Sequence, residues 1–177
     1  MSRGFTYSAI LTLLLLSGFR QAGAAQDEEV ETNLKAAFLY NFTKYIDWQL
    51  ESGNGEFVIG VIGSSAVEPA LEEIARTGTV DGRKITIRHI DRPDQIGGCQ
   101  LLFIAHRRHL GLQEILSRVT RGEIAVAEEN GAARNGAGFN FVRSGDKLRF
   151  EANIGALAAS GLKVSSQLLK LAILVKQ

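Results

Sequence analysis

Only one cysteine, two prolines and no marked excess of either charge occur in these 177 residues. The lone thiol, Cys99, excludes an intrachain disulfide even in an oxidising compartment. Flanked by Ile96-Gly97-Gly98 and Leu101-Leu102, it is expected to be a buried, inert small hydrophobe. So few prolines beside 45% apolar residues exclude a disordered or collagen-like chain. With 20 Lys plus Arg against 19 Asp plus Glu there is no surplus to build the basic face that nucleic-acid binding needs, so no such partner is expected. The apolar run Ala9–Phe19 is too short for a hydrocarbon core of about 30 Å, which takes roughly 20 residues.

That short run does fit a targeting segment. Arg3 supplies the positive start, Ala9–Leu16 the apolar centre, and Ala22-Gly23-Ala24 the small residues of a cleavage site. Residues 1–24 are expected to be a signal peptide, cleaved after Ala24 or Ala25, with the mature protein in the periplasm. Neither a cysteine for lipidation nor a twin arginine accompanies it. Residues 25–31 read as a frayed acidic lead-in, and 32–177 as a single domain.

The domain opens on a helix, Thr32–Trp48, in which Leu34, Ala37, Phe38, Asn41, Phe42, Tyr45 and Ile46 recur at helical spacing. It is unusually aromatic. Phe38, Tyr40, Tyr45 and Trp48 could face a second copy or a partner, against the alternative that such a stripe is core. Phe57–Ile62 and Leu101–Ala105 are short apolar runs that read as strands buried on both faces, joined by Lys84–Ile90 and Glu123–Ala127. Helices are expected at Val67–Arg76 and Leu110–Val119. Strands alternating with helices predict an α/β domain with a mainly parallel sheet covered on both faces.

The last third changes character. Asn130–Gly138 is Gly/Ala/Asn-rich and reads as a flexible loop; Phe139–Arg143 and Lys147–Glu151 flank a tight turn, giving a β-hairpin. A short helix over Asn153–Gly161 follows, with Asn153 as its cap. A final helix, capped by Ser165 or Ser166, would carry Leu168, Leu169, Leu171, Ala172 and Val175.

Sites for chemistry are few. Gly63-Ser64-Ser65 follows a strand and opens a helix, but has neither the three glycines of a dinucleotide site nor the lysine of a phosphate loop. In a parallel sheet this turn, with His106, lies at the carboxyl edge, where such sheets put ligands. His106 and His109 lack a third metal ligand and enclose Arg107-Arg108, so no metal is expected. No nucleophile elbow is present, and Glu72-Glu73 and Glu128-Glu129 are sequence neighbours that point apart, so no catalytic residue or cofactor site is assigned. Arg149, Glu151 and Asn153 alternate along one strand face and, with Lys163, make a candidate partner surface.

The run Lys35-Ala36-Ala37-Phe38-Leu39-Tyr40-Asn41-Phe42-Thr43-Lys44-Tyr45-Ile46-Asp47-Trp48 resembles the opening motif of the YfiR-like periplasmic proteins. Phe57–Gly63, Asp81–Ile85, Cys99–Ile104, Leu148–Asn153 and Ala159–Leu169 match in order, so the resemblance spans residues 31–175. It implies a Rossmann-like, three-layer α/β domain that often dimerises and is no enzyme. It also implies repression of an inner-membrane diguanylate cyclase through the cyclase's periplasmic part, relieved by an OmpA-like outer-membrane lipoprotein. Relatives often pair two cysteines; the partner of Cys99, expected near the Phe57–Gly63 strand, is missing here. A small-molecule sensor with a pocket near Gly63, Ser64 and His106 is the alternative reading.

Overall fold

The computed structural model describes residues 26–50 and 55–176. The expected signal peptide lies outside them.

Helix α1 occupies residues 26–44. Ala36, Leu39 and Phe42 repeat at helical spacing and are fully buried, so this face is held by burial rather than by intrinsic propensity. The helix therefore starts earlier than its apolar pattern: residues 26–31, expected as a frayed lead-in, are helical, and the Glu31–Lys35 pair at i,i+4 supports that turn at 2.9 Å. It also ends earlier. Strand β1 (Ile46–Asp47) leaves the helix to pair antiparallel with β9 (Lys163–Val164), and Ser165 N–H donates to Tyr45 O at 2.8 Å. Trp48 then folds back: its Nε1–H donates to the helix-end carbonyl of Thr43 at 2.8 Å, and its ring meets Phe57 edge-on at 5.0 Å.

All the other strands except β9 build one eight-stranded sheet, with helices between them. In chain order they are β2 (Phe57–Ile62), α2 (Val67–Ala75), β3 (Thr79–Val80), β4 (Arg83–Ile90), a single 3₁₀ turn (Pro93–Gln95), β5 (Leu101–Ile104), α3 (Leu112–Leu116) and β6 (Ile124–Ala127). Then come β7 (Phe139–Ser144), β8 (Lys147–Asn153), α4 (Ile154–Ser160), β9, α5 (Ser166–Leu171) and β10 (Ile173–Val175). The spatial order is β10-β8-β7-β6-β5-β2-β4-β3. Strands β4, β2, β5, β6 and β7 run parallel, so the mainly parallel α/β fold expected from the sequence is the observed one. The hairpin return β8 and the edge strand β10 run the other way, as does β3 at the far edge.

Each face of the sheet has its own core. One is aromatic: Phe42 of α1 stacks on Phe139 at 4.7 Å and meets Phe150 edge-on at 5.0 Å. Phe38 joins from the rim against Phe42, Phe141 and Phe150. Val67 and Leu71 of α2, and Leu168 of α5, complete that cluster. The opposite face is aliphatic, with Leu102, Ile104 and Ala125 under Leu112 and Ile115 of α3. Alternation along each buried strand sends successive side chains to opposite cores, which is why both faces read as apolar.

Two expectations in the last third need correction. Residues 130–138 are a compact run of turns, with Ala132, Ala133 and Ala137 fully buried, Ala132 and Ala137 in the aliphatic core. Their small side chains let the backbone pack close, so composition alone misread them as a flexible loop. The final helix stops at Leu171, and Ile173–Val175 pairs parallel with Glu151–Asn153 as a strand. Branched, apolar Ile-Leu-Val satisfies helical and strand spacing alike over so short a stretch, and the free side of β8 decides the outcome.

Candidate functional site

The parallel strands deliver three loops to their carboxyl edge: Gly63-Ser64-Ser65 after β2, His106 to His109 after β5, and Glu128-Glu129 after β6. The first two are pressed together. Ser64 N–H donates to Arg107 O at 2.8 Å, and a Cβ on Gly63 would collide with that same carbonyl oxygen and sit 2.8 Å from Arg108 Cβ. With φ at 89°, position 63 takes glycine on both counts.

Over this edge lies the start of α1. Lys35 Nζ reaches Glu128 at 2.8 Å and Glu31 at 2.9 Å, and Arg143 of β7 reaches the other Glu31 oxygen at 3.3 Å. Burial works against the Lys35 charge, but the hydrogen bonds to Glu128 and Glu31 outweigh it and the ammonium pKa rises. Glu128 also accepts from the His106 backbone N–H at 3.1 Å. Beside it Arg108, with a nearly buried side chain, bonds Glu129 at 2.5 Å and the carbonyls of Ala105 and His106. From Glu129 a relay runs inward: its N–H donates to Asn140 Oδ1 at 3.1 Å, and Asn140 Nδ2 donates to Glu151 at 3.0 Å.

These charges line two open clefts. One, of about 660 Å³, is bounded by Glu31, Lys35, Ser64, His106, Glu128 and Arg143. The other, about 700 Å³, contains Gly63, Ser64, His89, Asp91, Arg107 and His109. In it His89 is clamped: Nδ1 lies 2.8 Å from Glu68 of α2 and Nε2 lies 3.1 Å from Asp91. The hydrogen bond to Glu68 raises its pKa. His109 turns to the Asp91 carbonyl at 2.9 Å instead of joining His106. Among the described residues, no three His, Cys, Asp or Glu converge as metal ligands.

The residues singled out from sequence thus divide. Gly63, Ser64 and His106 do come together at the carboxyl edge. Arg149, Glu151 and Asn153 share a face of β8 but run from exposed to fully buried along it. Asn153 caps α4, accepting from Ala156 N–H at 2.9 Å, and also donates to Ala133 O at 2.6 Å. Lys163 stands exposed on the separate two-stranded sheet. On α1, Phe38 and Tyr40 are half-buried and Tyr45 is exposed, while Trp48 has left the helix for the core with 3% exposure. Sequence reasoning missed Lys35, Glu31, Arg143 and Asn140. Only the Glu31–Lys35 spacing was readable beforehand; Glu128 and Arg143 arrive from strands far along the chain. Cys99 lies in the aliphatic core at 1% exposure, and burial pushes its thiol pKa up.

The decisive comparison is with families of known sequence: residues 32–173 match the YfiR/HmsC-like family. The chain belongs to the YfiR/HmsC-like family. Membership is consistent with periplasmic regulation of diguanylate cyclases. No helix among the described residues is long and apolar enough to cross a membrane. A solved structure similar to this YfiR/HmsC-like chain is the ABC domain in complex with L-Trp from Streptococcus pneumonia. It has 10% identity and a TM-score of 0.49, and the match covers 67% of this chain and 56% of that one.

Proposed function

We propose that this protein is an exported repressor that holds the periplasmic part of a membrane-bound diguanylate cyclase in its inactive state, lowering cyclic di-GMP. The family match over residues 32–173 carries the reading. The chemistry of the chain supports binding over bond-breaking. Ser65 Oγ is occupied by Val67 N–H, Ser160 Oγ donates to the Leu157 carbonyl, and the only thiol is buried with a raised pKa. Such a repressor acts by preferring one cyclase conformation, and its effect is bounded by the difference in affinity between the two. An OmpA-like outer-membrane lipoprotein that captures it would relieve repression, and homodimers are the expected solution form.

Deleting the gene is expected to raise cellular cyclic di-GMP, and restoring the exported chain to lower it. Unchanged nucleotide levels in both strains would reject the reading. A second reading, a small-molecule sensor, rests on the 660 Å³ cleft with Ser64 and His106 in its wall. A thermal-shift screen of amino acids, nucleotides and sugars tests it, since a true ligand loses its shift in Ser64→Ala or His106→Ala.

A further inference from the structure

Strand β10 ends the eight-stranded sheet, and among the described residues no strand pairs with its outer side. Which backbone groups face outward follows from the ladder. Asn153 N–H donates to Gly138 O toward β7, so Ala152, one residue back, turns its N–H and C=O toward β10. Ala152 stands opposite Leu174, and in a parallel pair its bonds go to the residues on either side of that one. The N–H and C=O of Leu174 therefore point away from the sheet. Leu171, Ile173 and Leu174 along this edge are 63%, 38% and 55% exposed.

Exposed apolar edges invite unwanted pairing, and proteins blunt them with short strands or charge. The opposite edge obeys: β3 is two residues long and runs into the Asp81-Gly82 turn. The two charges that flank β10 in the chain, Lys170 and Lys176, are both positive. Residues 147–176 carry five cations, Lys147, Arg149, Lys163, Lys170 and Lys176, against the single carboxylate of Glu151. That carboxylate accepts from Asn140. All five cations are exposed, and none is in an ion pair among the described residues, unlike Lys35, Arg108 and Arg143. Lys170 and Lys176 bracket β10 itself.

We infer that β10 is a docking edge for an extended, acidic segment of another protein, which adds to the sheet as a further strand. Backbone hydrogen bonds from Leu174 supply the pairing, Leu171 and Leu174 the apolar contact, and Lys170 and Lys176 the choice of an acidic partner. The inference deepens the proposed function, because it says where and by what chemistry a repressed partner is held.

The test uses the full exported chain and a fluorescein-labelled peptide of sequence Asp-Glu-Val-Thr-Val-Thr-Asp-Glu, followed by anisotropy. A second peptide has lysine at every acidic position. The acidic peptide is expected to bind, to weaken as salt rises from about 50 to about 500 mM, and to exceed the lysine peptide by about tenfold or more. Leu174→Pro removes the outward donor and should cost about tenfold. The Lys170→Glu/Lys176→Glu pair, on exposed positions that leave the fold intact, should do the same. Equal binding of both peptides, or undiminished binding to the charge-reversed pair, overturns the inference. So does a result in which the variants shift only the sedimentation of the protein itself and no peptide binds, which would make a second copy the occupant. In a deletion strain, wild-type chain lowers cyclic di-GMP while the charge-reversed pair does not. If both variants and wild type lower it equally, the edge fails and the repressor reading stands; if neither affects it, the repressor reading fails and the peptide result still judges the edge.

Discussion

At the carboxyl edge of the sheet Lys35, Arg108 and Arg143 meet carboxylates of their own chain; at the C-terminal edge Lys170 and Lys176 meet none among the described residues. Lys35 is shared by Glu31 and Glu128, Arg143 by Glu31, and Arg108 by Glu129, so the network closes on itself and fixes α1 against β6 and β7. Lys170 and Lys176 stand in water in the same stretch of chain as exposed Leu171 and Leu174, and Lys163 is exposed on β9 opposite Asp47 without an ion pair among the described residues. The first arrangement resembles a part built to hold shape, and the second a part left to be completed by something else. Charge count alone would have ranked the two regions the other way, because the carboxyl edge holds the denser cluster of titratable groups.

The contrast is sharpest where a polar group is fully buried. Asn153 is the pin of the C-terminal region: it caps α4 and ties it to the Ala133 carbonyl. Asn153→Ala would leave Ala156 N–H without its cap and Ala133 O with only its bond from Gly136 N–H, so the expected loss is about 2 kcal/mol in urea unfolding. A loss below about 1 kcal/mol would mean that this region is not anchored here and that its exposed edge is not rigidly presented. Next in size is Lys35→Ala. Its ammonium is partly buried between two carboxylates, so removal is expected to cost about 1–2 kcal/mol, between the values for exposed and buried pairs. Glu128→Gln on the Lys35→Ala background should recover part of that, since the carboxylate left without a cation would be gone, whereas Glu31 keeps Arg143.

Much of this architecture was legible from sequence. Phe57–Ile62 reads as a buried strand and is one, Asn153 and Gly161 bound the helix expected between them, and of the two serines offered as the last cap Ser165 is the one that serves. The illegible parts share one cause. Ile46–Asp47 continues the helical spacing of α1, yet pairs with Lys163–Val164, more than a hundred residues away. Ile173–Val175 continues the spacing of α5, yet completes β8. In both, a few hydrogen bonds to a distant strand outweigh a local pattern too short to nucleate more helix. The site followed the same rule. Ser64 and His106 were placed by the parallel topology alone, whereas Lys35, Glu128 and Arg143 meet only because α1 crosses the sheet edge, a packing choice that no spacing encodes.

The carboxyl edge also carries a histidine with a carboxylate on each side. His89 bridges Glu68 and Asp91, and its pKa is raised chiefly by the bond to Glu68. A group with a raised folded pKa contributes its full stability below its unfolded value, about 6.5, and loses it as pH climbs through the folded value. The ring is well exposed, so the contribution is under about 1 kcal/mol. Thermal unfolding from about pH 5.5 to 8 should therefore show a small decline in wild type that His89→Gln lacks. An identical decline in both would place the titration elsewhere and leave the carboxyl edge insensitive to acid.

The smallest expected effect bears most on the comparison. Replacing Lys163, Lys170 or Lys176 by alanine should change unfolding free energy by no more than about 0.5 kcal/mol each, because none is in an ion pair among the described residues. The changes should add, since exposed groups without shared partners do not couple. If any one of them costs as much as Lys35→Ala, its charge is serving the fold, and the C-terminal edge is a second structural network. If all are neutral, these cations are retained for some purpose other than stability. An exposed apolar strand flanked by like charges then makes physical sense as a surface meant to be covered by a partner of opposite sign.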